Sequence, residues 1–172
     1  LILAVGFSML FISGAKIRYL ASSIIPLIMA GIVLALIYPH ARQRMYNFIA
    51  TKLGNIESAQ NIQVYQAKLG LGSGGLFGRG LGRNMQGNLF LPEAYGDFIF
   101  SIIGEELGFI GAFTVVTFYF AIFFLGWLIA KSSGNEFGKL LAFGLTMMIT
   151  ITAFVNIGVV IGILPTTGIP LP

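Results

Sequence analysis

The sequence predicts an all-α, polytopic membrane helix bundle with one large extracytoplasmic loop. Two observations carry that class. Only 9% of the 172 residues are charged, while 56% are hydrophobic. Ordinary soluble domains carry roughly a quarter charged residues, so a chain this poor in charge cannot cover a water-facing surface, and lipid has to solvate much of it. The apolar residues also fall in long runs of the length needed to cross a bilayer. The 23 Gly residues fit the same class, because small residues let membrane helices approach closely.

The elements follow in order. Leu1 to Ser13 is apolar and reads as part of a membrane helix within a segment 1–14. It opens mid-helix, so the parent protein is expected to continue at both ends. Lys16 and Arg18 mark a short turn. The run 20–38 is apolar throughout, and nineteen residues at about 1.5 Å each make a helix of roughly 28 Å. Pro26 inside it predicts a kink that a membrane bundle tolerates. Segment 39–92 is different: it holds His40 and the basic set Arg42, Arg44, Lys52, Lys68, Arg79 and Arg83. Ala41 to Leu53 is expected as an amphipathic helix and Asn61 to Leu69 as a second short one. The Gly-rich run from Gly70 to Gly82 is expected to end any helix there. Residues 97–130 form a long apolar element interrupted only by Glu105 and Glu106, too long for a simple span and expected to tilt or bend. Residues 140–164 form another span, broken by Pro165 and Pro170.

Loop charge orients the chain. Short loops rich in Lys and Arg prefer the cytoplasm, which places Lys16/Arg18 and Lys131/Lys139 inside. Loop 39–92 and the stretch from Pro165 to Pro172 then face outward.

The composition excludes several chemistries. There is no Cys, hence no disulfide, thiolate catalysis or Cys-ligated zinc, and the single His40 builds no histidine cluster. The net charge of +4 in a membrane chain points to loop anchoring or an anionic ligand and not to nucleic acid. The Gly-rich run neither follows a strand nor carries a Walker lysine, so it is not a nucleotide loop. Its backbone amides with Arg79 and Arg83 suit an anion; a plain re-entrant turn is the alternative.

Carboxylates are the remaining candidates. Asp97 opens the long helical segment and reads either as a helix cap or as a general base facing outward. Carboxylates at membrane depth cost about 2.5–3.5 kcal/mol on the insertion scale and mark function by default. At about 100° per residue, Glu105 falls roughly 80° around the helix from Asp97 and Glu106 about 180°, so Glu105 is the one placed to share a cavity with Asp97. Buried hydrogen bonding between helices is the alternative for both. The basic residues of loop 39–92 fit either lipid headgroups or a specific diphosphate, Arg by forked contacts and Lys as a point charge.

The run Gly72-Ser73-Gly74-Gly75-Leu76-Phe77-Gly78, then Leu91-Pro92-Glu93-Ala94, Asp97-Phe98-Ile99-Phe100 and Gly104-Glu105-Glu106-Leu107-Gly108-Phe109, resembles the shape, elongation, division and sporulation (SEDS) family, which comprises FtsW, RodA and SpoVE. Asn156-Ile157-Gly158-Val159-Val160 and Leu164-Pro165-Thr166-Thr167-Gly168-Ile169-Pro170-Leu171-Pro172 resemble the family's next signature. The resemblance covers the whole chain and matches the late sixth to ninth of the family's ten membrane helices. Leu81-Gly82-Arg83-Asn84 and Pro92-Glu93-Ala94 look closer to the FtsW division branch than to the RodA elongation branch. Tyr95 and Gly96 depart from the usual pattern, standing where His and Thr are common, as do Gly87 and Thr152.

The resemblance implies a peptidoglycan glycosyltransferase of the bacterial cytoplasmic (inner) membrane that polymerises lipid II, with septal synthesis favoured. It implies Asp97 as the catalytic base; beside it, Glu93 and Glu105 are candidate orienters or acid partners, and Lys68, Arg79 and Arg83 are candidate contacts to the substrate diphosphate. No protein-ligated metal is expected, although a divalent cation, Mg or Mn, fits beside a diphosphate. The implied partners are lipid II, a class B penicillin-binding protein, other divisome or elongasome membrane proteins and membrane lipids. A lipid II transporter and a non-catalytic division scaffold are the competing readings.

Overall fold

The computed structural model describes residues 1–53, 59–83 and 96–172. The regular structure among them is helical: α1 (Ile2–Ile12), α2 (Ile17–Ile37), α3 (Pro39–Lys52), α4 (Ala59–Ser73), α5 (Ile99–Ser132) and α6 (Glu136–Val160). Three of these, α2, α5 and α6, are long and apolar enough to cross a membrane. In the apolar window of α2 Leu20 alone is buried, against 39% of that of α6. The first is therefore a helix surrounded by lipid or further helices, and the second a helix with a packed side.

The chain divides into two compact units, Leu1–Gln43 with Phe120–Ile151, and Arg44–Tyr119 with Thr152–Pro172. Small residues bring helices together in the first. A Cβ at Gly144 would crowd Met9, and one at Gly126 would collide with Thr146. Trp127 meets Phe143 edge-on, ring centroids 5.9 Å apart.

The second unit has its own core of Ala67, Phe98, Phe100, Ile102, Ala112, Ile157 and Val160. A hydrogen bond inside it ties α4 to α5: Ser101 Oγ donates to Ala67 O at 2.6 Å. Packing here overrides local propensity. The Gly run was expected to end its helix near Leu69, yet α4 continues through Gly70 and Gly72 to Ser73. The reason is a close approach: a Cβ at Gly104 of α5 would collide with Leu71, and one at Gly74 with the Gly104 carbonyl. Contact with α5 supports a last turn that glycine alone would weaken by about 1 kcal/mol per residue.

The long element 97–130 does bend, and sharply. Gly108 interrupts α5 with φ 69° and ψ −164°, a combination essentially confined to glycine. The backbone groups freed there find partners in the Gly-rich loop. Arg79 N and Gly80 N donate to the carbonyls of Glu105 and Glu106, both at 3.0 Å, while Phe109 N and Ile110 N donate to Gly75 O and Leu76 O at 2.8 and 3.2 Å. At the far end, α6 closes in a Schellman turn around Gly162 (φ 76°): Ile163 N donates to Gly158 O at 2.8 Å and Gly162 N to Val159 O at 2.9 Å. That turn sends the Pro-rich segment back along the second unit.

Candidate functional site

The Gly-rich loop and the break in α5 form one structure. Gly78 and Gly108 both have positive φ, and a Cβ on either would run into the other strand of the crossing. Glu105 sits at this crossing, 1% exposed, with Oε1 3.5 Å from Arg79 Nη1. Its neighbour Glu106 turns to the other side of the loop and accepts the Gly82 amide at 3.1 Å. Arg83 N donates to Gly80 O at 3.2 Å, and its side chain is exposed. Two of the basic residues expected at a diphosphate, Arg79 and Arg83, thus belong to the loop that crosses the broken helix.

Asp97 lies in the turn just before α5. Ser101 N and Ile102 N both take the Phe98 carbonyl, at 2.9 and 3.4 Å, and the Asp97 carbonyl is met from across the unit. Asn156 of α6, 1% exposed, donates through Nδ2 to Asp97 O at 2.8 Å and to Ile169 O at 2.9 Å. This bond holds the returning Pro-rich segment beside the Asp97 turn. Gly168, exposed and at φ 68°, faces the carboxylate: the point where its Cβ would stand is 3.7 Å from Asp97 Oδ2 and 3.9 Å from Arg44 Nη2. Arg44 reaches the same segment through Nη1, which donates to Thr166 O at 3.2 Å. A carboxylate and a guanidinium therefore both border the space where a side chain at Gly168 would stand.

A basic pocket adjoins this space. Arg44, Asn47, Lys52, Lys68, Gly162 and Thr166 are among its lining residues. Lys68 lies across the Schellman turn, so close that a Cβ at Gly162 would collide with its ammonium end. Lys52 Nζ is 4.8 Å from the centre of the Phe48 ring. Three cationic side chains from α3 and α4 thus converge where α6 ends, in an arrangement suited to a polyanion.

Lys68 is therefore brought to the Asp97 side of the unit, together with Arg44 and Lys52. Those two belong to the basic set of loop 39–92, but their spacing from Asp97 gives no sign of proximity. Glu105 was expected to share a cavity with Asp97. It stands instead with Arg79, about 9 Å beyond the start of α5 at 1.5 Å per residue. Glu93 lies outside the described residues. Among the described residues no three His, Asp or Glu side chains gather into a metal-binding group, so the residues in place offer a divalent cation no cluster of their own.

The whole chain, residues 1–172, matches the family model described as cell cycle protein, FtsW/RodA/SpoVE. Curated relatives named probable peptidoglycan glycosyltransferase FtsW include those of Geobacter metallireducens, 37% identical over 98% of this chain and 44% of the relative, and Buchnera aphidicola, 37% identical over 99% of this chain and 45% of the relative. That of Legionella pneumophila is 36% identical over 96% and 42%. The chain thus spans less than half the length of these relatives. Among solved structures, one described under structural coordination of polymerization and crosslinking by a peptidoglycan synthase complex shares the fold. Its TM-score is 0.72 at 22% identity, covering 95% of this chain and 44% of that one.

Proposed function

The chain belongs to the FtsW/RodA/SpoVE family of cell cycle proteins, and from that membership we propose that the full-length protein is a peptidoglycan glycosyltransferase that polymerises lipid II, with Asp97 as its general base. The observation that supports this best is the approach of opposite charges at Gly168: the Asp97 carboxylate and the Arg44 guanidinium both come within 4 Å of its Cβ position, and Arg44 also lines a pocket with Lys52 and Lys68.

The chemistry divides along that line. The acceptor's sugar hydroxyl attacks the anomeric carbon of the donor. A new glycosidic C–O bond forms, the bond from that carbon to the diphosphate breaks, and the hydroxyl proton passes to Asp97. Undecaprenyl diphosphate leaves with the electron pair, and Arg44, Lys52 and Lys68 offset its growing charge. Both substrates keep their lipid tails in the bilayer, which restricts their approach and supplies much of the orientation. Glu105 acts at a remove, holding Arg79 and the Gly-rich loop across the break in α5.

The names of the curated relatives favour septal synthesis within the family. The proposed setting is the bacterial cytoplasmic membrane, with residues 39–92 and 165–172 outside. The proposed partner is a class B penicillin-binding protein that crosslinks the strands made here.

The test uses the full-length parent with that partner in detergent, the partner's own chemistry blocked, following labelled lipid II into polymer. Wild type is expected to make polymer, and a folded Asp97→Asn variant to fall by at least a hundredfold, the scale of a lost general base. An active Asp97→Asn enzyme refutes the base. No polymer from wild type, with lipid II flipping in liposomes, favours the transporter; neither activity favours the scaffold.

A further inference from the structure

We propose that Asn156 is a positioning residue for Asp97, fixing the base against the substrate space by joining its turn to the returning Pro-rich segment; this rests on the glycosyltransferase reading above. Asp97 precedes α5, where backbone is less constrained than in a helix, and the first helical amides spend their bonds on Phe98. What holds the Asp97 main chain to the far wall of the site is the Asn156 amide, which donates one N–H to Asp97 O and the other to Ile169 O. Because both protons are committed to carbonyls, the orientation of this amide follows from its neighbours. Its oxygen is buried with no hydrogen-bond partner, so the side chain serves these two carbonyls without being fully satisfied itself. Ile169 directly follows Gly168, whose Cβ position lies within 4 Å of both Asp97 Oδ2 and Arg44 Nη2. Asn156 therefore ties the residue after Gly168 to the Asp97 main chain through its two N–H bonds.

A residue acting this way controls the geometry of proton transfer more than the capture of lipid. The experiment takes the full-length parent with its partner in detergent and compares wild type, Asn156→Asp and Asn156→Leu. Asn156→Asp keeps the side-chain volume, while Asn156→Leu keeps the branching at Cγ in a larger side chain. Each is measured for thermal midpoint, for binding of labelled lipid II and for polymerisation rate at saturating lipid II. The expected result is a rate lowered at least thirtyfold in both, with lipid II affinity within about threefold of wild type and the midpoint within a few degrees. A rate within threefold of wild type in either folded variant overturns the inference. So does a parallel fall of affinity, midpoint and rate, which marks a purely structural residue. If the Leu variant does not fold, the isosteric Asp variant decides alone, since it removes the amide donors with the least change of shape. If Asp97→Asn is fully active while the Asn156 variants are slow, it is the base assignment that fails.

Discussion

At Gly168, two small facts combine: the backbone is left-handed, and a Cβ there would stand within 4 Å of two opposite charges. A substitution there acts in two ways, and they can be separated. The left-handed conformation costs a non-glycine residue about 1–2 kcal/mol. The methyl of Gly168→Ala also enters the space within 4 Å of both Asp97 Oδ2 and Arg44 Nη2. Gly14 has φ 88° and nothing within 4 Å of its Cβ position, so Gly14→Ala carries the backbone cost alone. The expected outcome is a comparable loss of thermal stability in the two variants of the full-length parent. Polymerisation is expected to fall at least tenfold only in Gly168→Ala. Arg44 gives a second case. One guanidinium nitrogen holds Thr166 O and the other faces the substrate space, so a single ammonium cannot do both. Arg44→Lys is expected to lower the polymerisation rate several-fold, measured against a Lys16→Arg control in the first unit. Of this site, the sequence exposed Asp97 and Lys68, because a carboxylate opening an apolar run and a basic outer loop stand out in hydropathy. Arg44, Asn156 and Gly168 could not be assembled from spacing, since they reach Asp97 only through the return of the Pro-rich segment.

The helices show the same division between pattern and packing. Apolar runs announce α2, α5 and α6, because burial in lipid is written directly into composition. The break in α5 is not written there: Gly108 sits in an apolar run, and hydropathy carries no record of φ. Nor does glycine density tell that α4 survives to Ser73 while the next residues cross the break. The crossing makes its own forecast. Gly108→Ala places a Cβ against Gly78 N and Leu76 O in a region of φ and ψ that costs about 1–3 kcal/mol before any clash. A large fall in the thermal midpoint is expected, whereas Gly134→Ala, with nothing near its Cβ position, should leave it unchanged. The ion pair at the same crossing is lopsided. The Arg79 side chain is 43% exposed and that of Glu105 is 1% exposed. Glu105→Gln leaves an arginine that water can reach and should cost about 1 kcal/mol or less. Arg79→Ala leaves a buried carboxylate without its cation and should cost about 2 kcal/mol or more. The double variant is then expected to be more stable than Arg79→Ala alone, measurable by denaturation of the detergent-solubilised parent.

For the chain as a whole, the decisive property is where its apolar surface points. Large hydrophobic side chains along α2, from Ile17 (70% exposed) to Ile37 (66%), are an untenable surface in water and an ordinary one in lipid. α2, α5 and α6 are long and apolar enough to span, and loop charge supports the proposed sidedness. Lys131 and Lys139 bracket the short turn between α5 and α6, and short basic turns are retained in the cytoplasm. In the proposed topology Lys16 and Arg18, two crossings away, mark the same side and α3 and α4 lie on the other. Their several basic residues do not contradict this, because long segments are translocated largely regardless of charge, and the proposed lipid-linked diphosphate would give those cations a ligand. The absence of cysteine from these 172 residues makes the orientation directly testable. Leu53, at the end of α3, is 81% exposed, and Gly134 stands in the α5–α6 turn with open space around it. Single Leu53→Cys and Gly134→Cys variants, in a parent protein otherwise free of cysteine, would be treated in intact cells with a membrane-impermeant thiol reagent. Labelling is expected at position 53 without permeabilisation and at position 134 only after it. The reverse pattern would put Asp97 and its basic pocket on the cytoplasmic side, where no glycan strand is assembled, and the polymerase reading would fall with it.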